Sequence, residues 1–317
     1  MATNFEVVGF AVSTIAPIYA VTVLGAYLRR RGILSDDFLK DSAHIIFNYA
    51  APIMLFLSLA GADLSSGVIS RFIFVSLGIV LAMALLAYLI APFMVKDRHD
   101  RGVFLQGAVR GNILVSGLAL SQTIYGVEGI ALASLLIGLF IIFNNVFSVG
   151  VLKYYAQTTD RGAGNYWRDI VRNPIIISVV LGTGVGFLEL PIPTLIVATG
   201  NLLGQLTVPL ILINVGAALD FGHLRSPSAG AWAACCFKSL LTPLVGVPVG
   251  YYLGLRQMEL GILFLLLSAP TATISVVFVQ LFGGNTRMAA NTVLLSGLVS
   301  FVVIVVGLIG LRSAQLI

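Results

Sequence analysis

Long apolar runs separated by short polar segments extend along the whole chain. A run of about 20 apolar residues is long enough to cross a hydrocarbon core of about 30 Å as an α-helix. The pattern therefore predicts an all-α membrane protein with about ten transmembrane helices. The predicted spans are residues 5–28, 38–60, 70–94, 103–124, 128–152, 173–190, 197–219, 228–253, 260–281 and 287–310.

Local signals for helix starts and turns support this division. Ser35-Asp36-Asp37 offers an N-cap and two acidic first-turn residues before the second span, and Gly283-Gly284-Asn285 predicts a turn before the tenth. The first apolar run is longer than the core of a signal peptide and lacks a basic segment before it. We therefore expect this run to be retained as the first span.

Composition and charge narrow the class of protein. Apolar residues make up 58% of the chain and charged residues only 10%, which excludes an ordinary soluble domain. Loops after odd-numbered spans carry 13 Lys and Arg residues, against 3 on the opposite side. Because positive loops stay in the cytoplasm, both termini are predicted to lie outside it, in a plasma membrane (the inner membrane of a bacterium). The net charge of +5 therefore does not imply nucleic acid as a partner, because the basic residues lie in short loops beside a lipid bilayer.

An internal repeat divides the chain into two halves. Shifting the sequence by 157 residues superimposes landmark residues from two pairs of spans and from two pairs of loops. They are Pro17 on Pro174, Pro52 on Pro209, Ala60 on Ala217, Asp63 on Asp220 and Gly126 on Gly283. The predicted organisation is a first five-helix repeat at 1–152, a cytoplasmic link at 153–172 and a second repeat at 173–317. Because five is odd, the second copy is inverted in the membrane, which is typical of secondary transporters.

Polar residues and helix breakers within two spans suggest a binding site. The fourth span contains Arg110-Gly111-Asn112 followed by Ser116, and the ninth contains Pro270 followed by Thr271 and Thr273. Glycine and proline free backbone groups, and interrupted helices at corresponding places in two repeats mark the site of many transporters. At the offset of 157, however, Asn112 falls on Ala269, so Pro270 has no proline counterpart.

Other polar groups within spans leave alternatives open. Arg110 can extend to the headgroups or attract an anion, and Lys238 can pair with a substrate carboxylate or with a carboxylate of the chain. Asn48 and Asn214, beside the prolines of the second and seventh spans, either form structural bonds or line the cavity. The spans contain no nucleophile–base pair and no metal-ligand spacing, so no enzyme activity, cofactor or metal is predicted.

A set of short motifs in a fixed order resembles a known family. The motifs are Pro17…Leu24-Gly25…Arg30-Arg31-Gly32, Ala51-Pro52, Phe104…Arg110-Gly111-Asn112…Gly117, Asn173-Pro174, Pro191-Ile192-Pro193, Pro209…Gly216…Leu219 and Ala269-Pro270-Thr271-Ala272. On these residues the whole chain resembles the auxin efflux carrier family of bacterial and plant transporters, which includes malonate transporters.

The resemblance implies two inverted repeats and a fold similar to that of sodium–bile acid symporters. It implies broken fourth and ninth helices that cross near the substrate, at positions matching Asn112 and Pro270. It also implies alternating access of the elevator type, a carboxylate-bearing organic anion as substrate, and often a homodimer. Plant members have a proline near Gly111 and a long loop in place of the link at 153–172, so auxin itself is not implied.

Three functions remain open at this point. The first is a secondary transporter of a small organic anion, with its site at the crossing of the fourth and ninth helices. The second is a sodium-coupled symporter of the bile-acid type, against which the lack of Asp or Glu deep in the spans counts. The third is a sensor without transport. The sequence determines neither the anion nor the coupling ion, and proton or sodium coupling is possible.

Overall fold

The described part of the chain is built from helices. The computed structural model describes residues 4–62, 67–155, 172–217, 227–282 and 284–317. Its α-helices are α1 (Asn4–Arg30), α2 (Asp36–Ile45), α3 (Ala51–Ala60), α4 (Gly67–Met94), α5 (Arg98–Val109), α6 (Leu118–Tyr155), α7 (Pro174–Phe187), α8 (Thr194–Gln205), α9 (Thr207–Ala217), α10 (Ala229–Cys236), α11 (Thr242–Tyr252), α12 (Gln257–Ser268), α13 (Ile274–Phe282) and α14 (Thr286–Ser313). Within the described residues, three π-helical turns interrupt them, π1 (Ile46–Ala50), π2 (Ile113–Gly117) and π3 (Phe237–Leu241).

Side-chain caps fix several helix starts. The Ser35 side chain accepts a hydrogen bond from the Phe38 N–H, so the predicted N-cap is confirmed. Asn173 caps α7, which has Pro174 at its first position, where the missing N–H costs nothing. Asn285 caps α14 after the predicted turn, of which Gly283 lies outside the described residues.

The helices agree with a membrane protein. Six helical segments within the described residues are long and apolar enough to cross a membrane, and two shorter apolar helices accompany them. The six are Asp36–Ala60, Ser70–Met94, Leu118–Tyr155, Thr194–Ala217, Ala229–Tyr252 and Thr286–Ser313. The all-helical membrane class is therefore confirmed, whereas the count of ten spans stays a prediction. Gly126, with φ of 64° and ψ of −146°, kinks α6 where the fourth and fifth predicted spans meet.

The chain forms two compact units, and each takes residues from both halves of the sequence. Unit 1 comprises Met1–Arg71, Leu118–Gly138 and Arg168–Asp220, and unit 2 comprises Phe72–Gly117, Leu139–Trp167 and Phe221–Ile317. The two compact units are thus not the same as the two sequence repeats, which the sequence separates at residues 153–172. The repeats stay a prediction about the order of helices along the chain.

Close helix contacts through glycine characterise unit 1. Helix α1 packs along α9, and α3 packs along α7. A Cβ atom at Gly25 of α1 would lie 2.2 Å from the Ile213 carbonyl oxygen, and one at Gly182 of α7 would lie 2.7 Å from the Phe56 carbonyl oxygen. Both positions therefore require glycine for the backbones to approach this closely.

Helix α12 is the central element of unit 2. Every residue from Glu259 to Ser268 is buried, and the helix packs on α11, α14, π2 and π3. A helix that is apolar all round needs neighbours on every side, and these elements provide them. The C-terminal end of α12 is thereby held within the unit, where the candidate site lies.

Candidate functional site

The breaks after α5 and α12 are paired with each other in unit 2. Helix α5 ends at Val109, and α12 ends at Ser268, at the two places where the sequence predicted interruptions. Gly111 and Thr271 form an isolated antiparallel bridge. The Asn112 N–H donates to the Pro270 carbonyl at 2.6 Å, and the Ala272 N–H donates to the Arg110 carbonyl at 3.1 Å. Backbone groups released by one break are thus satisfied by the other.

Side chains satisfy the carbonyls that each helix end leaves free. The Thr271 hydroxyl donates to the Gly107 carbonyl of α5 at 2.8 Å, and the Lys238 ammonium donates to the Leu267 carbonyl of α12 at 2.6 Å. In an unbroken helix the Thr271 N–H would bond Leu267, but here it donates to the Ser296 hydroxyl at 2.9 Å. The ends of α5 and α12 are therefore fixed by one hydroxyl and one cation.

Lys238 is a buried cation at the paired breaks. It lies in π3, and only 3% of its surface is exposed. A Cβ atom at Gly111 would lie 3.0 Å from its Cε and 3.2 Å from its Nζ, so the ammonium is in contact with the bridge. No carboxylate of the described residues pairs with Lys238, whose hydrogen bond goes to a backbone carbonyl. The alternative of a carboxylate partner within the chain thus has no support in the described part.

A small cavity adjoins the ammonium. Its volume is about 20 Å³, and its polar lining comes from Lys238, Asn144 and Thr242 beside Gly111 and Leu267. The Asn144 side chain is buried and forms no hydrogen bond with the described residues, whereas the Thr242 hydroxyl donates to the Phe237 carbonyl. This volume fits about one water molecule. A carboxylate compound therefore requires the surrounding helices to move apart before it can reach Lys238.

Arg110 is engaged inside unit 2. Its guanidinium donates to Asn145 at 2.8 Å and to Ser148 at 3.2 Å, both on α6, and lies 4.2 Å from the centre of the Phe278 ring. Only 7% of the residue is exposed. Extension to the headgroups, one of the two alternatives for Arg110, is therefore absent from this structure. The side chain links α6 to α13 instead.

The remaining residues predicted at the breaks differ in their surroundings. The Asn112 side chain is half-buried and has no hydrogen-bond partner among the described residues. Pro270 is half-buried, Thr271 is buried, and Thr273 is exposed. The side chain of Ser116 lies outside the described residues. Asn112, like Asn144 beside the cavity, thus has a side-chain amide that the described residues leave without a hydrogen bond.

Asn48 and Asn214 are not among the residues brought together at the breaks. Both belong to unit 1, and their hydrogen bonds are local. The Asn48 amide donates to the His44 carbonyl one turn earlier, and the Asn214 amide donates to the Ser42 hydroxyl and to the Leu210 carbonyl. These are the structural bonds that the sequence left open as one alternative, and Asn214 thereby links α2 to α9.

Sequence reasoning missed several polar residues that support the breaks. Ser296 holds the Thr271 N–H, Ser300 bonds Ser239, and Gln106 donates to the Ser275 carbonyl at 3.3 Å. Serine and threonine are common in membrane helices, so their presence in a span does not indicate a role at the breaks. The spacing of Asn144 and Ser148, one helical turn apart, was a usable signal for a polar face on the fifth span.

The sequence matches the profile of a known family over most of its length. The match to the membrane transport protein family covers residues 10–308. The chain belongs to this family. The resemblance to auxin efflux carriers is thereby confirmed. The finding also agrees with six membrane-length helical segments in the described residues.

Relatives of this membrane transport protein come from archaea and bacteria. An uncharacterized transporter of Methanocaldococcus jannaschii is 24% identical over 90% of this chain and 94% of its own. One of Methanothermobacter thermautotrophicus is 25% identical over 91% of this chain and 94% of its own. The uncharacterized transporter YfdV of Escherichia coli K12 is 22% identical over 90% and 93%. The match to transporters along nearly the full length supports transport and leaves the solute to be argued from the site.

Proposed function

We propose that this membrane transport protein is a secondary transporter that moves a small carboxylate-bearing anion by alternating access. The observation that carries the proposal is the ammonium of Lys238, buried at the paired breaks without a carboxylate from the described chain. A buried cation is costly unless an opposite charge compensates it. A substrate carboxylate beside Nζ supplies that charge, and neutral or cationic solutes do not.

Two further groups at the breaks suit the same ligand. The Asn112 amide has no partner in the described chain and can donate to a second carboxylate oxygen. Gly111 has no side chain, and this allows a ligand to approach the ammonium across the bridge. Arg110 is held by Asn145 and Ser148, so we assign it a positioning role and leave Lys238 as the ligand cation.

The order of helix ends supports the repeat on which alternating access depends. In the first half, three helices end at Arg30, Met94 and Val109. In the second half, 157 to 159 residues later, helices end at Phe187, Tyr252 and Ser268. These ends were not among the matched residues that suggested the offset, and they agree with it to within two residues in all three pairs.

Contacts within unit 1 support a twofold relation between the copies. Gly25 lies against Ile213, and Gly182 lies against Phe56. At the offset of 157, Gly182 corresponds to Gly25 and Ile213 corresponds to Phe56, so the two contacts are the same contact with the copies exchanged. Reciprocal contacts of this kind characterise a twofold axis. With five spans in each copy, this axis would lie in the membrane plane, as inverted repeats require.

Uptake into proteoliposomes tests the proposal. With radiolabelled malonate as the probe, we expect saturable uptake that is lost when Asn112→Ala and Pro270→Ala are combined, because both changes alter the paired breaks. Asn48→Ala, which removes a local bond in unit 1, is the control and should keep uptake. If the combined variant transports malonate as well as the parent does, the site assignment is wrong.

The same assay separates the other open features. Uptake that requires sodium would favour the bile-acid type of symport over an uncoupled or proton-coupled carrier. Binding of malonate with no flux would favour a sensor. Ten spans, termini outside the cytoplasm, the plasma membrane location and a homodimer remain part of this proposal as the sequence and the resemblance predicted them.

A further inference from the structure

Asn144 supplies the side-chain amide of the small cavity beside Lys238. It lies on α6, and Phe140, one turn earlier on the same helix, lines the same cavity. All the residues that form the described lining belong to unit 2, so the cavity lies within one compact unit. Because the cavity has room for about one water molecule, the ammonium and the amide are both within reach of one small ligand.

The amide of Asn144 has no structural partner, in contrast to two other asparagines within predicted spans. Asn145 accepts a hydrogen bond from Arg110, and Asn214 donates to the Leu210 carbonyl. Asn144 forms no hydrogen bond with the described residues, although only 6% of it is exposed. Polar residues within membrane spans are costly unless they are paired or serve a function. The missing partner therefore points to a ligand.

A ligand in the cavity can reach this amide. Two other unpaired amide oxygens of unit 2, on Gln106 and Asn291, are fully shielded by the protein, so no ligand contacts them. Asn144 keeps accessible surface and is part of the cavity wall. An unpaired amide in apolar surroundings costs free energy, and a ligand group that bonds it removes this cost.

The other lining residues limit what else can bind the ligand. The Thr242 hydroxyl donates to the Phe237 carbonyl at 2.9 Å, so its hydrogen is already in use. Most of the remaining wall is apolar, with Met83 and Phe140 among its larger side chains. With a carboxylate at Lys238, an apolar ligand group beside Asn144 would displace water and leave the amide unpaired. A hydrogen-bonding group at the same place would pair it.

We infer that Asn144 is a specificity-determining residue, whose amide binds a second polar group of the substrate while Lys238 binds its carboxylate. The substrate class is a short carboxylate with a hydrogen-bonding group close by, as in dicarboxylates, their monoamides and hydroxy acids. Plain fatty acids are rejected, because a site that bonds one ligand group discriminates strongly against analogues that lack it. The inference rests on the proposed function, since it requires a carboxylate at Lys238.

Three ligands of nearly one shape test the inference by separating hydrogen bonding from charge. Malonate has two carboxylates, malonamate has an amide in place of one, and isovalerate has an isopropyl group there. A ligand raises the unfolding temperature of the purified full-length protein according to its concentration relative to its Kd. We expect the parent to bind malonamate about tenfold more tightly than isovalerate, because isovalerate leaves one amide unpaired.

Two variants of Asn144 and one control complete the test. Asn144→Leu keeps the side-chain size, so it should unfold near the parent temperature and lose the preference through weaker binding of malonamate alone. Asn144→Asp places a carboxylate across the cavity from the ammonium, so it should weaken binding of all three ligands without lowering the unfolding temperature. Asn48→Leu changes an amide with a local bond in unit 1 and should preserve all three affinities.

The outcomes distinguish this inference from the proposed function. If malonamate and isovalerate bind the parent equally, and both lose binding in Lys238→Met, the anion site stands and the role of Asn144 is wrong. The role is also wrong if Asn144→Leu weakens both ligands equally, keeps the preference or unfolds several degrees lower. Asn144→Asp that binds malonate as the parent does would equally overturn it. If none of the three ligands stabilises the parent, the proposed function fails and the inference fails with it.

Discussion

Replacing Lys238 by methionine separates a ligand-binding role from a structural one. Methionine has a similar length and no charge, so it fills the space of the lysine stem within π3. The change removes the hydrogen bond from Nζ to the Leu267 carbonyl. It also removes a cation that is 97% shielded, since only 3% of the residue is exposed. These two effects on the free energy of unfolding have opposite signs.

The magnitudes favour an unchanged or higher stability. A hydrogen bond from a charged donor contributes about 1.5–3 kcal/mol, and that is the expected loss at Leu267. Burying an ammonium without a compensating charge costs roughly several kcal/mol, and methionine removes this cost. We therefore expect the unfolding temperature of Lys238→Met to stay level or to rise by a few degrees. Binding of a carboxylate should weaken about 10- to 150-fold, because about 1.4 kcal/mol corresponds to a factor of ten.

Thermal unfolding and malonate uptake, measured on the same preparations, check both parts. Lys153→Met is the matched control, because Lys153 is exposed near the end of α6 and outside the paired breaks. It should leave both quantities near those of the parent. A Lys238→Met protein that unfolds several degrees lower yet transports malonate normally would refute the reasoning, because the lysine would then serve the fold alone.

Three further changes test the packing and the breaks. Thr271→Val removes the hydrogen bond from the hydroxyl to the Gly107 carbonyl, so it should lower the free energy of unfolding by about 1–3 kcal/mol and abolish uptake. Thr271→Ser keeps the hydroxyl and should retain both stability and uptake in the same two assays. Gly216→Ala would place a Cβ atom 1.8 Å from a backbone oxygen of α1, so we expect the free energy of unfolding to fall by about 3 kcal/mol or more. Gly78→Ala is the control and should leave this free energy unchanged, because a Cβ atom at Gly78 would meet open space. An unfolding temperature for Gly216→Ala equal to that of Gly78→Ala would contradict this packing. Asn112→Ala should change stability by less than about 0.5 kcal/mol and abolish uptake, and a large loss of stability would instead assign the amide to the fold.

The sequence predicted the helices and their interruptions because both depend on local chemistry. Apolar runs, the cap at Ser35 and the breakers Gly111 and Pro270 each act within a few residues. The hydrogen-bond partners across the two breaks could not be predicted from the sequence, for a physical reason. Lys238 donates to a backbone carbonyl, and every residue has one, so the residue type at Leu267 carries no signal of the contact. The two compact units could not be predicted either, because each combines helices from both halves of the sequence.

The paired breaks also explain why Pro270 lacked a counterpart at the offset of 157. The bridge joins Gly111 to Thr271, which are 160 residues apart. On the predicted repeat, the second copy would thus hold three more residues than the first at this point. On the local offset, Gly107 corresponds to Leu267, and these are the two carbonyls that side chains satisfy. An antiparallel bridge has local twofold symmetry. Residues at equivalent positions of the two copies can therefore pair with each other only if the twofold axis that relates the copies passes between them. The backbone at this point is therefore symmetric, but its donors are a hydroxyl and an ammonium. That difference leaves one lysine, Lys238, at the paired breaks, and on the proposed function its charge compensates one substrate carboxylate.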